Sequence, residues 1–81
     1  MFYQGGYYRL ENERLLEVQE CDEGYDFSVY DAEVNLLDGG ILESNDWLKE
    51  EYVIQEVLDL LGMERMKYES VENFWLKGEQ R

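Results

Sequence analysis

Residues 2–32 alternate between apolar and polar positions with the period of two that half-buried β-strands show. The clearest case is YDFSVYD at 25–31, where Tyr25, Phe27 and Val29 share one face. Similar runs, separated by turn-forming residues, occupy residues 5–11, 14–21 and 36–43. The pattern predicts an antiparallel meander of three or four strands, in which Tyr25, Phe27 and Val29 point toward the core.

Glycines mark a predicted turn and an interruption within this meander. In the predicted turn DEG at 22–24, Gly24 supplies the positive φ that a tight hairpin needs. Gly39 and Gly40 interrupt the last run, and glycine inside a strand marks a bulge, a bend or a close backbone approach. We expect the pair to bend or end the fourth strand. A phosphate-binding loop is excluded because Lys49 is the only nearby base.

After the meander the apolar period changes to that of a helix. Residues 45–61 are expected to form the main α-helix, with Ser44, Asn45 and Asp46 as candidate N-caps and Gly62 just past its end. The residues expected on its apolar face are Trp47, Val53, Ile54, Val57, Leu58, Leu60 and Leu61. This stripe can cover one face of a small sheet.

The last nineteen residues allow two assignments. MKYESV at 66–71 fits an additional edge strand, and SVENFWLKG at 70–78 fits a short helix. The run 74–76, FWL, either closes the core or forms a contact patch, and we favour the core. The predicted fold is one compact α+β domain over residues 1–81, with three to five antiparallel strands and one main helix packed on one face.

The chain is also strongly acidic. The chain has 20 acidic and 7 basic residues and no histidine, which gives a net charge of −13. Residues 11–59 alone hold 16 acids and two bases. Such a surface repels nucleic-acid phosphates and anionic lipid, so neither is an expected partner. It attracts a basic protein, although high net charge can also serve solubility alone.

The composition excludes several kinds of chemistry. Without histidine, the chain cannot form a Ser-His-Asp triad or a Cys-His pair. Cys21 is the sole cysteine, so no intrachain disulfide can form. The acids around Gly24 lack the spacing of a calcium loop. We therefore expect no catalytic residue, cofactor or metal, and a non-enzymatic protein. With no apparent signal peptide or membrane span, a cytoplasmic protein is expected.

The candidate site is a surface of carboxylates interleaved with aromatic rings. Carboxylates on one strand face stand about 6 to 7 Å apart, close to the spacing of nucleic-acid phosphates. Such an array can occupy an Arg/Lys channel built for DNA or RNA. The residues predicted to bind a partner are Glu17, Asp22, Glu23, Asp26, Asp31, Glu33, Tyr25 and Tyr30.

The stretch GYYRLENERLLEVQECDEGYDFSVYDAEVNLLDGG at 6–40 resembles the small domains associated with large polyvalent proteins of phages and conjugative elements in gut Firmicutes. The meander and the DGG run before a helix carry the likeness, which covers roughly half to two-thirds of the chain. The resemblance implies a mobile-element protein acting in a bacterial host. Such elements also carry small acidic anti-CRISPR inhibitors, some of which mimic nucleic acid. The likeness assigns no binding residues.

Together these observations favour a small acidic mobile-element protein that binds and inhibits a basic, nucleic-acid-handling host protein. The most specific form of this hypothesis is that the bound host protein is a CRISPR effector. The alternative is a non-enzymatic accessory or assembly module, which would form a homodimer through a sheet edge or the aromatic patch at 74–76.

Overall fold

The computed structural model describes residues 3–44, 48–63 and 65–72, which form one five-stranded antiparallel sheet and one helix. The elements are β1 (Gly5–Leu10), β2 (Leu15–Cys21), β3 (Gly24–Tyr30), β4 (Leu36–Glu43), α1 (Glu50–Leu60) and β5 (Tyr68–Val71). The strand order is β4-β3-β2-β1-β5. The predicted meander is present as β1 to β4, and α1 carries the chain from the β4 edge to β5, which pairs with β1.

The predicted α+β class is wrong, because the sheet dominates the fold. The strands contain 6, 7, 7, 8 and 4 residues, whereas the single helix has 11. The additional edge strand expected at 66–71 exists as β5. The helix expected at 70–78 lies mostly outside the described residues. The described part of the chain is a mainly antiparallel β domain with one short helix.

The predicted helix start was several residues too early. The helix begins at Glu50, and Lys49 occupies the N-cap position without a side-chain capping hydrogen bond. Ser44, a predicted cap, instead donates its backbone N–H to the Glu23 carbonyl, 2.9 Å away. Small polar residues terminate strands and build turns as readily as they cap helices, so the pattern did not fix the boundary. Asn45 and Asp46, the other two candidate caps, lie outside the described residues.

One face of the sheet and one side of α1 form the core. Its buried members are Tyr8, Leu10, Leu16, Val18, Tyr25, Phe27, Val29, Val53, Ile54, Val57 and Leu58. The inward alternation predicted for β3 is confirmed. Leu60 was expected on the apolar face of the helix, but its side chain is 60% exposed. Trp47 falls outside the described residues. No helix among the described residues has the length and apolar character needed to cross a bilayer.

The Gly39-Gly40 pair neither bends nor ends β4, contrary to expectation. The strand continues through both glycines to Glu43. A Cβ added at Gly40 would lie 2.9 Å from Cζ of the Phe27 ring on the neighbouring strand, so this glycine makes room for a buried aromatic side chain. The irregularity lies earlier, where Tyr30 pairs with Leu36 and Val29 with Asp38, which bulges the strand between them.

The turn between β2 and β3 follows the prediction. Gly24 has φ +142°, and a Cβ there would lie 2.2 Å from the Leu42 carbonyl oxygen. No other residue fits this position without moving the backbone of β4. The turn thereby brings Asp22 and Glu23 beside the end of β4.

Candidate protein-binding surface

Acidic side chains gather where the β2–β3 turn and the end of β4 lie side by side. The hydrogen bond from Ser44 N to Glu23 O holds these two segments together, and Gly24 pairs with Glu43 across the strands. We call this surface the acidic end; its carboxylates belong to Glu20, Asp22, Glu23, Asp26 and Glu43. All five residues are exposed, so their charges face solvent together.

Basic residues are concentrated at the other end of the sheet. Arg14 lies in the β1–β2 turn, and Lys67, just before β5, donates its backbone N–H to Glu11 Oε1 at 3.1 Å. Arg9 pairs with Leu15 near the same end. Among the described bases, Lys49 is the exception, since it precedes α1. The acidic end therefore holds a negative potential that few neighbouring charges offset.

The residues predicted to bind a partner do not form one surface. Asp22, Glu23 and Asp26 belong to the acidic end, but Asp31 and Glu33 lie in the β3–β4 turn at the opposite end of the sheet. The length of β3 separates the two groups by roughly 25 Å. Because hairpin strands place successive turns at alternate ends, acids close in sequence lie far apart in space.

The Asp31 carboxylate organises its own turn. Oδ1 accepts the backbone N–H groups of Asn35 and Glu33, each at 2.9 Å, and Oδ2 accepts the Asn35 side-chain amide at 3.2 Å. The hydrogen bond from the Asn35 backbone is the main reason that the pKa of Asp31 lies below its usual range. This carboxylate serves the fold of the β3–β4 turn.

Glu17 and Tyr30 meet on the sheet face opposite the core, although thirteen residues separate them. The Tyr30 hydroxyl donates to Glu17 Oε1 at 3.0 Å, and the Gln19 amide donates to Oε2 at 2.9 Å. Partial burial, followed by the bond to the carboxylate, raises the pKa of Tyr30. This pair gives the middle of the outer face a half-buried polar centre.

Tyr25 cannot contact a partner, so its inclusion in the predicted site is wrong. Its side chain is 1% exposed, and its hydroxyl donates to the Tyr3 backbone carbonyl at 3.0 Å. The alternation along β3 that turns Phe27 inward turns Tyr25 inward as well. Tyr8, another ring in the acidic meander, is buried to the same extent.

A tyrosine network that sequence reasoning missed connects the sheet to α1. The Tyr8 hydroxyl donates to Glu50 Oε2 at 2.6 Å and is hydrogen-bonded to the Tyr3 hydroxyl. Tyr3 lies against the Tyr25 ring, and Tyr8 meets Tyr68 edge-on, with 5.6 Å between centroids in each pair. Burial raises the pKa of Tyr3 and of Tyr8. The available signal was that an inward tyrosine hydroxyl needs a polar partner.

The edge strand β4 exposes unusually apolar side chains. Leu36, Leu37 and Ile41 are 65%, 50% and 47% exposed, and β4 has no strand beyond it in the sheet of the described residues. The sequence pattern placed this segment in the meander but does not show that it forms an edge. Exposed apolar residues on a sheet edge are typical of surfaces that bind another chain.

An open cleft of about 540 Å³ lies between the second half of α1 and the segment before β5. Its lining residues are Gln55, Leu58, Asp59, Arg65, Met66 and Tyr68. The lining combines one carboxylate, one guanidinium, one amide and one phenol with two apolar side chains, and these six residues include no recognisable pairing of a nucleophile with a base.

Comparison with known proteins places the chain in a domain family. Neither a curated protein nor a solved structure matches it. The family model described as large polyvalent protein-associated domain 16 matches residues 5–80, which span all the strands and the helix described above. The chain therefore belongs to the family of large polyvalent protein-associated domain 16.

Proposed function

We propose that this domain is a non-enzymatic binding module that captures a basic protein through the acidic end. The observation that carries the proposal is the group of five exposed carboxylates at one end of the sheet, with most described bases at the other. A one-signed surface of this kind steers an oppositely charged partner and raises its association rate.

The charge also favours a class of partner. Proteins that handle DNA or RNA hold phosphates with arginine and lysine, and carboxylates can occupy the same channels. We therefore propose a nucleic-acid-handling protein of a bacterial host as the partner, inhibited in its cytoplasm by nucleic-acid mimicry. A CRISPR effector, with PAM-reading arginines and a basic heteroduplex channel, is the sharpest version of this proposal.

The test compares two charge-reversed variants in a pull-down from host lysate at low and high salt. The first carries Asp22→Lys, Glu23→Lys and Asp26→Lys. The control carries Glu51→Lys, Glu56→Lys and Asp59→Lys on the exposed side of α1, so both change the net charge equally. We expect the first variant alone to lose a partner that the wild type retains at low salt and that DNA or RNA displaces.

If both variants lose the partner equally, binding depends on net charge alone. The acidic end would then not be a specific binding site. Retention of the partner by the acidic-end variant at moderate salt would exclude electrostatic capture altogether. Circular dichroism of both variants is the control for folding.

A second candidate function is an assembly module that pairs with another copy of itself. The exposed leucines and isoleucine of β4 favour it; the aromatic patch at 74–76 lies outside the described residues. Salt distinguishes the two functions, because apolar association persists at an ionic strength that screens exposed charges.

A further inference from the structure

We propose that the open edge of β4 accepts an extended basic segment of the partner as a sixth strand. This inference rests on the proposed function, since it gives the basic partner a binding mode. Charge alone attracts any basic protein. Backbone pairing along a strand edge adds a geometric requirement, so that only an extended segment fits.

The hydrogen-bond pattern identifies which groups of β4 are available. Ser44 N donates to Glu23 O, so Gly24 and Glu43 form a non-hydrogen-bonded pair. In an antiparallel ladder the direction of the backbone groups alternates, which turns the N–H groups of Ile41 and Glu43 away from β3. The Gly39 N–H also faces this edge, but it donates to Asp38 Oδ1 at 2.8 Å.

The side chains of β4 protect this edge only in part, because Asp38 covers the Gly39 N–H alone. Natural edge strands are commonly guarded by proline or lysine, yet the chain contains no proline and β4 contains no lysine. Exposed Ile41 instead offers an apolar contact to a side chain of an added strand. The bulge at Leu37 limits the regular edge to the half of β4 that approaches the acidic end.

The charges near this edge determine which kind of segment can bind there. Asp38 and Glu43 lie on β4 itself, Asp26 pairs with Ile41, and Glu23 contacts the end of the strand. No base occurs in residues 36–43. Ile41, Asp26 and Glu43 lie on the same face of the sheet, because cross-strand partners and alternate residues of a strand share a face. An extended segment that carries both an apolar residue and lysine or arginine on that face therefore satisfies Ile41 and these carboxylates. A second copy would bring the same carboxylates and a further charge of −13.

The experiment uses a fluorescent peptide of repeated Lys-Lys-Val-Val, which places both residue types on each face of an extended strand, with fluorescence anisotropy as the measurement of binding. Ile41→Pro removes an N–H that faces away from β3 and therefore leaves the β3–β4 ladder intact. Ile41→Thr is the matched control, because it changes the side chain and keeps the N–H. A second peptide carries methyl groups on its four central backbone nitrogens, which preserves its charge.

We expect the wild type and Ile41→Thr to bind the peptide, and Ile41→Pro to bind it at least about tenfold more weakly. The methylated peptide should lose binding to a similar extent. Hydrogen exchange on the wild type provides a measurement that does not depend on a folded proline variant: bound peptide should slow exchange at the Ile41 and Glu43 amides.

Equal binding of the two peptides, or unchanged exchange at those amides, would overturn strand addition while leaving capture by the acidic end intact. Concentration-dependent dimers of the wild type that Ile41→Pro abolishes would assign the edge to a second copy and also overturn the inference. Failure of the peptide and of any basic protein to bind at low salt would reject the proposed function as well.

Discussion

The buried hydroxyl of Tyr8, on β1, donates to Oε2 of Glu50, the first residue of α1, at 2.6 Å. This bond fixes the start of the helix to the sheet, where α1 has no side-chain N-cap. It also holds a carboxylate beside the N-terminus of the helix, where the helix dipole favours negative charge. The orientation of α1 therefore depends on one tyrosine of the core.

Tyr8→Phe should destabilise the domain while leaving the core filled. Removing a hydrogen bond to a charged acceptor costs roughly 1.5 to 3 kcal/mol, and exposure of Glu50 to water favours the lower end. The measurement is the free energy of unfolding in urea. Tyr52→Phe, at a residue that is 61% exposed, is the control and should change stability by less than about 0.5 kcal/mol. Equal effects would show that the bond to Glu50 adds nothing.

Alkaline pH should unfold the protein through the same network. Burial keeps Tyr3 and Tyr8 protonated above the ordinary tyrosine pKa near 10. Above about pH 10 the folded state then binds more protons than the unfolded state, so stability falls as pH rises, by at most about 1.4 kcal/mol per pH unit for each such tyrosine.

Denaturant titrations between about pH 8 and 11 measure this slope, and the absorbance of tyrosinate reports ionisation. Tyr8→Phe should reduce the slope because one protonated hydroxyl is gone. Ionisation of every tyrosine near its ordinary pKa in the folded protein would contradict the expectation.

Gly40→Ala should destabilise the sheet because its new Cβ would crowd the Phe27 ring. Overpacking of a core costs roughly 1 to 3 kcal/mol, depending on how far the ring can move. Phe27→Leu destabilises the domain by itself, but the smaller side chain leaves room for a Cβ. A double-mutant cycle in urea should therefore show that Gly40→Ala costs less in the Phe27→Leu background. Additive effects would mean that the ring is not the obstacle.

Asp31→Ala should destabilise the β3–β4 turn at neutral pH and have less effect in acid. The lowered pKa of Asp31 means that its charged form stabilises the folded state above the ordinary value near 3.8. That contribution is lost as pH falls through the lowered folded-state pKa, so the Tm difference from the wild type should narrow. Glu33→Ala removes a charge from the same turn but keeps the Asp31 carboxylate, and it serves as the matched control. A difference that stays constant from neutral to acidic pH would contradict the assignment.

Sequence periodicity predicted β1, β2 and β3 well because each of these strands has one buried face. The alternation of Tyr25, Phe27 and Val29 gave both the strand and its inward side. It could not explain Gly40, because the reason for that glycine is a ring on a neighbouring strand. Periodicity also predicted too long a helix, because the polar run after β4 has the same composition as a helix start.

The candidate site was predictable in charge but not in position. The excess of acids is visible in the sequence, yet strand direction sends Asp22 and Asp31 to opposite ends of the sheet. Hydrogen bonds then assign Asp31 to its own turn. The exposed edge of β4 was missed because only the strand order, in which β5 joins β1, shows which strands lie outermost.

The pairing of β1 with β5 also has a kinetic consequence. Every other strand pair joins neighbours along the chain, whereas Tyr7 pairs with Val71 and Leu10 with Tyr68, about sixty positions apart. Closing so long a loop is entropically slower than forming a hairpin. We therefore expect the hairpins to fold first and β5 to dock last. Since β5 has only four residues, it is also the strand that detaches most readily from the native sheet.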